Sequence, residues 1–591
     1  MPAHTPPTPT PAARRRPPPR ALLAACGFAA SILLPACSNP LASRESDYGE
    51  RVPVERVRRV GSASMERFAS TEPPPQLPVP TDRAIAAIEE VRRRYADAES
   101  VELSLEQCRA SALEHNLDLR VALVDPTIAA TRLSEEEAAF EATFTTRALW
   151  SQTDSPTSST LNDAQAEFGT LEPAVTIPLR TGGSASISLP MTRNETNNAF
   201  ATLNPSYTSD LELSISHDLL RNAGRRVNTA SIRIASYDRQ VAEAQTKLQV
   251  IRQLSSVDRA YWRLYASRRA MDVSQQQFDL ARALLESADR RVRAGSTAEI
   301  EVTRAQSGLA DRLDDILTSQ SAVRQTQREL KRIANLPGLD IDTKAAVVPA
   351  TPPDPVQYIL DPAALTAAAW AERMEMLELE LRLLADAVNI DVSKDGLLPR
   401  LTVDATYRVN GLGGSFGDSY DELADNRFED WSVGANLTVP IGNEAAEARY
   451  RRAVLSRLQR LGTLASRRQT IAQEVHDAAD RIESGWQRIL ASRQAAILSA
   501  RSLQAEQRQF DVGTSTSTNV LDAATRLAEA QLAEIRAVVD YQVAQIDLAE
   551  ATGTLLGASK VSWEPRDPTN EPAPPESRPI APEPAPAGAN P

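Results

Sequence analysis

The sequence predicts an α+β fold made of a duplicated unit, in which a helix, a group of strands and a long helical hairpin follow one another. Residues 289–310 and 507–528 carry the same pattern, with Gly295 of the first aligned to Gly513 of the second. The same order of elements recurs around each copy. The 591 residues include only 23 glycines and 5% aromatics, which suits long helices better than a compact α/β enzyme.

The N-terminus predicts a signal peptide, residues 1–36. Basic residues precede an apolar run from Ala21 to Leu34, which at about 14 residues is too short to span a bilayer but right for a signal-peptide core. The run ends in Leu-Pro-Ala-Cys at Cys37, which resembles the bacterial lipobox and predicts lipidation of Cys37. Cleavage before Cys37 without lipid is the alternative, and either way we expect export of the chain body.

Composition and motifs exclude several classes of protein. The net charge of −13 argues against a nucleic-acid partner. Cys26 lies in the leader and Cys37 at its cleavage site, so only Cys108 lies within the expected folded body. Neither a disulfide framework nor a cysteine-based zinc site is therefore expected. The histidines are scattered, and neither an HExxH motif, a nucleophile elbow nor a glycine-rich phosphate loop occurs. We therefore expect no enzyme activity, no cofactor and no metal site. No apolar run of about 18 residues follows the leader, so no transmembrane helix is expected.

The leading segments are read as a linker followed by a helix. Residues 37–100 are rich in proline, serine and arginine and predict a linker with a short helix near its end. Ser104 and Gln107 fit a capping box at the start of a helix that continues to about residue 137. Pro126 should kink or break that helix. The second half predicts a corresponding helix at 361–396.

Between the leading and long helices the hydrophobic period changes from 3.6 to 2, which predicts strands. The longest segments of alternating apolar and polar residues have about 9–10 residues, the length of a transmembrane β-strand. The alternating segments are 140–150, 175–179, 187–189, 211–216, 401–410 and 431–439. Residues 171–191 indicate an additional strand pair in the first half, and the sequence leaves open whether it joins a barrel or folds outside it.

A soluble β-sandwich would show the same alternation. Three features favour membrane strands instead: the signal peptide, the long polar loop 411–430, and aromatic residues near strand ends. Those aromatic residues are Trp150, Tyr407 and Trp431.

Each half then predicts a helix too long for a globular core, at about 229–293 and 444–511. At 1.5 Å per residue each extends about 100 Å, and shorter helices of about 40 residues follow the turns. A trailing helix stacked on a leading helix would match one long helix in length. The predicted domains are a first repeat at 101–345, a proline-rich linker at 346–358, a second repeat at 359–560 and a disordered tail at 561–591.

A sheet that spans a bilayer must close, because an open edge leaves backbone groups unpaired in hydrocarbon. A barrel needs about eight strands or more, and one chain offers four to six. Several chains must therefore contribute to one barrel. A membrane barrel continued by a hollow cylinder of helices is a conduit.

The two turn regions resemble the hairpin tips of the TolC-like outer-membrane efflux proteins. The segment 512–523 is similar to the tip of the second repeat, and 294–302 to that of the first. The resemblance covers roughly residues 100–560. It implies a homotrimer with a 12-stranded barrel in outer-membrane lipid and an α-helical tunnel in the periplasm. It also implies docking to a periplasmic adaptor and an inner-membrane pump, which supplies the transport energy.

The same resemblance implies that the hairpin tips form a periplasmic aperture. Asp522 matches the deeper acidic position, Glu301 matches a gate acid of the first repeat, and Asn519 stands where the best-known channels have Asp. Ser515 stands where an arginine would link the hairpins. Solvated helix charges are the alternative for Asp522 and Glu301. The residues expected at the tip turns and in adaptor docking are Gly295, Gly513, Val512, Val302 and Val520.

We therefore expect a passive trimeric export duct, the outer-membrane component of a tripartite efflux or type I secretion system. The alternative is a non-conducting envelope lipoprotein that uses long coiled coils as a spacer. The duplicated strands disfavour a spacer, which needs none.

Overall fold

The computed structural model describes residues 100–158, 163–296 and 298–562. The predicted signal peptide, the lipidation site Cys37, the linker with its short helix and nearly all of the predicted tail lie outside the described residues.

The first repeat contains a short strand, three leading helices, five strand segments, a one-turn helix and a helical hairpin. In chain order these are β1 (Ser100–Leu103), α1 (Leu105–His115), α2 (Leu117–Ala122), α3 (Asp125–Ala138), β2 (Thr143–Asp154), β3 (Gln165–Pro178), β4 (Ser184–Ser188), β5 (Met191–Thr196), β6 (Ser206–Asp218), α4 (Arg225–Asn228), α5 (Ala230–Arg293) and α6 (Ile300–Ala334).

The second repeat follows the same plan with fewer strands. Its elements are β7 (Ala346–Pro349), α7 (Pro362–Glu372), α8 (Met374–Asp395), β8 (Arg400–Gly413), α9 (Phe416–Ala424), β9 (Glu429–Thr438), α10 (Glu444–Asp511), α11 (Ser517–Ala551) and α12 (Leu555–Ala558). Strand β7 lies at the start of the predicted linker and pairs in parallel with β1.

The leading helices are more broken than the sequence indicates. Ser104 forms the predicted capping box with Gln107, and Pro126 lies in the first turn of α3. However, Asn116 is extended and its side chain caps α2, which divides the first helix earlier than expected. The helix expected at 361–396 is likewise divided at Arg373, whose backbone is extended with φ −73° and ψ 132°.

The two long helices agree with their predicted bounds to within a residue. Helix α5 has 64 residues and α10 has 68, so each extends about 100 Å. Helices α6 and α11 have 35 residues each and return alongside them. Their core consists of several thin apolar seams, which mix alanines with larger side chains, rather than one thick core.

The largest core lies at the middle of α5, where the leading helices and the β1–β7 pair meet it. Tyr261 is fully buried there. Its hydroxyl donates a hydrogen bond to the carbonyl of Leu103 at 3.1 Å and accepts one from the Thr351 amide at 2.8 Å. One side chain therefore joins the ends of both short strands to the long helix.

The remaining strands form one antiparallel sheet in the order β2, β3, β4 with β5, β6, β8, β9. Strands β4 and β5 keep one common register: Ser188 pairs with Ala174 in β3, and Met191 pairs with Leu171. Pro190 lacks an amide hydrogen and interrupts the ladder between them. Strands β4 and β5 thus form one continuous strand interrupted at Pro190. Counted in this way, the sheet is six strands wide, and we call these six strands its ribbons. The additional strand pair predicted at 171–191 belongs to this sheet.

The loop expected at 411–430 contains a helix, α9, that the sequence analysis missed. Ser415 caps its N-terminus. The ring of Phe416 packs against Tyr207 of β6 with centroids 4.5 Å apart, and the hydroxyls of Ser209 and Ser419 lie 2.8 Å apart. Of the helices in the described ranges, none is both long enough and apolar enough to cross a bilayer.

The break at Arg373 is held by ion pairs between helices. Its guanidinium binds Glu375 at 2.7 Å and also contacts Glu474 of α10, while Arg467 binds Glu375 at 2.9 Å. Burial would raise the pKa of Glu375, but the hydrogen bonds from Arg373 and Arg467 and the charge of Arg373 lower it to about 2. The cluster therefore ties α8 to α10.

We predict that Glu375→Gln lowers the thermal midpoint, since removing one partner of a buried pair costs about 3 kcal/mol. The lowered pKa means that the ion pairs stabilise the fold fully above pH 4.5 and progressively less as pH falls toward 2. The difference between wild type and variant, measured by circular dichroism, should narrow over that interval. Glu380→Gln, at an exposed position of α8, is the control. An unchanged midpoint at neutral pH would contradict the assignment.

Candidate aperture at the helical hairpin tips

Both hairpins turn in the same way. Gly295 and Gly513 have φ of 71° and 83°, the left-handed region that glycine adopts without strain. The amide of Ser296 donates to the Arg291 carbonyl at 3.0 Å, and the equivalent amide of Thr514 donates to Gln509 at 2.9 Å. This closure is a Schellman motif. An added Cβ would meet open space at both glycines, so backbone conformation rather than crowding requires them.

Glu301 joins the two hairpins. Its carboxylate lies at the N-terminus of α11, where it accepts hydrogen bonds from the amide and hydroxyl of Ser517. It also binds Arg304 at 2.6 Å, and its side chain is only 14% exposed. The hydrogen bond from the Ser517 hydroxyl is the main reason that the pKa of Glu301 is lowered. A carboxylate at this helix end is further favoured by the helix dipole.

Two arginines provide further links that the sequence analysis missed. Arg291 donates to the carbonyl of Phe510 at 2.8 Å, and its guanidinium lies 4.1 Å from the centroid of that ring. Arg312 of α6 donates to the hydroxyl of Thr525 in α11 at 2.6 Å. Ser515, which stands where an arginine was considered, instead bonds Glu506 within its own hairpin.

The hairpins also pack through apolar contacts behind the tips. Leu521 of α11 touches the apolar seams of both hairpins. Gly308 of α6 allows this approach, since a Cβ there would lie 2.7 Å from a Leu521 methyl group.

The three valines expected in adaptor docking differ in exposure. Val512 is 74% exposed at the second tip. Val520 is 1% exposed within the seam of its own hairpin, and Val302 packs against the other seam. The side chain of Val520 is therefore unavailable for docking, because it holds the tip together.

The first two turns of α11 present Asn519 and Asp522 on one face, three residues apart, and both are exposed. The Asn519 amide group donates to the Ser515 hydroxyl at 3.1 Å. Glu301 and Asn519 are equivalent positions of the two repeats, as are Arg304 and Asp522, at the offset that relates the two glycines. At these positions the first repeat thus carries an acid paired with an arginine, and the second carries an exposed carboxylate.

Comparison with known proteins gives consistent results. Residues 184–336 and 365–554 match the sequence profile described as outer membrane efflux protein. The outer membrane protein TolC of Vibrio cholerae is 25% identical over 350 residues, which cover 57% of this chain and 74% of that protein. The pyoverdine export outer membrane protein OpmQ of Pseudomonas aeruginosa is 25% identical over 338 residues, covering 56% and 66%.

Solved structures share the fold. The Campylobacter jejuni CmeC outer membrane channel aligns with a TM-score of 0.57 at 14% identity, over 76% of this chain and 86% of that one. The open-state Neisseria gonorrhoeae MtrE outer membrane channel aligns with a TM-score of 0.55 at 18% identity, over 76% and 89%.

We predict that Ser517→Ala loosens the tips, because the Glu301 carboxylate loses the hydrogen bond from the hydroxyl and keeps only the one from the amide. A hydrogen bond to a charged group contributes about 2 kcal/mol, so local opening should rise roughly 30-fold. Hydrogen–deuterium exchange of the two tip segments measures this change. Ser515→Ala, which leaves Glu301 untouched, is the control. Equal exchange in both variants would contradict the link.

Lowering the pH should also increase hydrogen–deuterium exchange at the tips of the wild-type protein. Because the pKa of Glu301 is lowered in the fold, the link is complete above pH 4.5 and is lost as pH falls through the lowered value. After correction for intrinsic exchange rates, the wild-type tips should then approach the exchange of Ser517→Ala.

Proposed function

The chain belongs to the outer membrane efflux protein family, and we propose that it is a passive homotrimeric export duct. In this proposal it is the outer-membrane channel of a tripartite efflux or type I secretion system. A periplasmic adaptor docks to it, and an inner-membrane pump supplies the energy. The sheet crosses the outer membrane and the helices extend into the periplasm.

The observation that supports this proposal best is that one chain contains both an incomplete sheet and two long hairpins. Six ribbons are too few for a barrel of the smallest usual size, which has about eight strands. Additional copies must complete the wall. Each copy then also contributes the hairpins of α5–α6 and α10–α11, which would line a continuous passage.

The aperture in this proposal lies at the tips. Asp522 and Asn519 of each copy line the passage, and a ring of carboxylates favours cations. Glu301 supports the aperture by linking the hairpins rather than by facing the passage, because Ser517 and Arg304 occupy its oxygens. The exposed turn around Val512, Gly513 and Gly295 is the proposed docking surface for the adaptor.

Conductance in planar bilayers tests the channel against the spacer alternative. We expect the purified protein to conduct, and the Arg291→Ala, Glu301→Gln double variant to stay open longer because two links between the hairpins are removed. If neither protein conducts at any voltage, the spacer is favoured and the duct is overturned.

Ion selectivity tests the aperture residues. Asp522→Asn should lower the preference for cations, and Asn519→Asp should raise it, as measured from reversal potentials in a salt gradient. Glu483→Gln removes an exposed carboxylate of α10 far from the tip and is the matched control. Reversal potentials that respond equally to all three substitutions would place the selectivity elsewhere.

A further inference from the structure

We propose that the additional strand pair is part of the membrane wall, so that three copies form an 18-stranded barrel instead of the 12-stranded barrel implied by the resemblance. The proposal rests on the homotrimer proposed above. Its structural basis is the six-ribbon sheet, in which β3 and the continuous β4–β5 strand lie between β2 and β6. Three copies of six ribbons make eighteen.

One face of the sheet is apolar across all six ribbons. A single row of cross-strand partners runs from edge to edge without a break. Its members are Phe144, Val175, Ile187, Leu213, Tyr407 and Trp431. The adjacent row is also apolar and contains Ile177, Ala185, Ile215, Ala405 and Val433. These rows suit contact with lipid.

The opposite face is polar over the same ribbons. The central row there consists of hydroxyl side chains, namely Thr143, Thr176, Ser186, Ser214, Thr406 and Ser432. The hydroxyls of Ser186 and Ser214 lie 2.6 Å apart, and in the next row Arg408 pairs with Glu212. This face suits a water-filled lumen.

The additional ribbons share this alternation in register with their neighbours. A hairpin folded outside the wall would have no need for an apolar lipid face and a polar lumen face at matching depths. The ladder is also long: β2 pairs with β3 over their full common length, and β6 pairs with β8 from Tyr207 to Asp218. The wall is therefore continuous through the additional pair.

The two edges of the sheet determine its partner. Strands β2 and β9 pair on one side only within the described residues, and both are exposed along nearly their whole length. Backbone groups left unpaired in hydrocarbon cost several kcal/mol each. Six ribbons of alternating direction leave β2 and β9 antiparallel, so β9 of one copy can pair with β2 of the next. A second copy of this chain is thus the occupant.

The added strands widen the membrane part alone. With strands about 4.8 Å apart and tilted by about 40°, eighteen strands give a barrel about 35 Å across, against about 24 Å for twelve. The number of long helices per chain is unchanged.

Electron cryomicroscopy of the full-length protein in detergent counts strands and copies directly. We expect eighteen strands from three copies. Twelve strands, whether from two copies or from three with the additional pair outside, would overturn the inference. Three copies with twelve strands that still conduct would overturn it while leaving the proposed function intact, whereas folded monomers would overturn both.

Disulfide formation provides a second test of strand order. Ser186→Cys with Ser214→Cys should crosslink under mild oxidation, because these positions are direct partners. Thr143→Cys with Ser214→Cys should not, since three ribbon spacings of about 14 Å exceed the reach of a disulfide. If the additional strand pair lay outside the wall, β6 would not adjoin β4, and the Ser186→Cys, Ser214→Cys variant would not crosslink. The single-cysteine variants control for native cysteines, of which Cys108 is buried.

Discussion

The need to pair every backbone group in a hydrocarbon environment governs this structure. A sheet with an apolar face across its full width is stable in lipid only when its edges are closed. One chain supplies six ribbons and leaves two edges unpaired in the described residues. In the proposed assembly, neighbouring copies therefore supply the missing partners of β2 and β9. The helices that continue from the sheet inherit whatever symmetry closes it.

The helical part is stabilised differently, because long helical hairpins bury only a narrow strip of apolar side chains. Thin apolar seams hold each hairpin, and both apolar and polar contacts join the hairpins to one another. Polar contacts between the hairpins lie at the tips, through Glu301 and Arg291, and near the middle of α5, where Arg259 binds Asp547 and Glu550 of α11. Between these levels the helices pack through apolar seams in which alanines alternate with large side chains such as Phe278 and Leu284. Polar links between the hairpins are thus spaced along the helices, at the tips and near the middle of α5.

The sequence was most informative where local physics decides the structure. The long helices and both turns were predicted because long stretches without proline end in glycine at left-handed positions. Strand β5 was missed because its residues, from Met191 to Thr196, are almost all polar. The break at Arg373 depends on Glu474, which is 101 residues away, and Arg291 binds a backbone carbonyl. Neither contact leaves a local pattern. The burial of Val520 likewise follows from tertiary packing.

The equivalence of Glu301 with Asn519 and of Arg304 with Asp522 has an electrostatic consequence for the proposed assembly. The two repeats have the same turn. At the equivalent positions, however, the first pairs Glu301 with Arg304, while the second exposes the carboxylate of Asp522. Around the mouth, six loops of similar backbone would alternate between two charge patterns, and only every second loop would carry the exposed carboxylate of Asp522. A cargo entering there meets a potential with three-fold rather than six-fold periodicity, although the backbone is close to six-fold. The duplicated units thus share one loop conformation but differ in charge at equivalent positions.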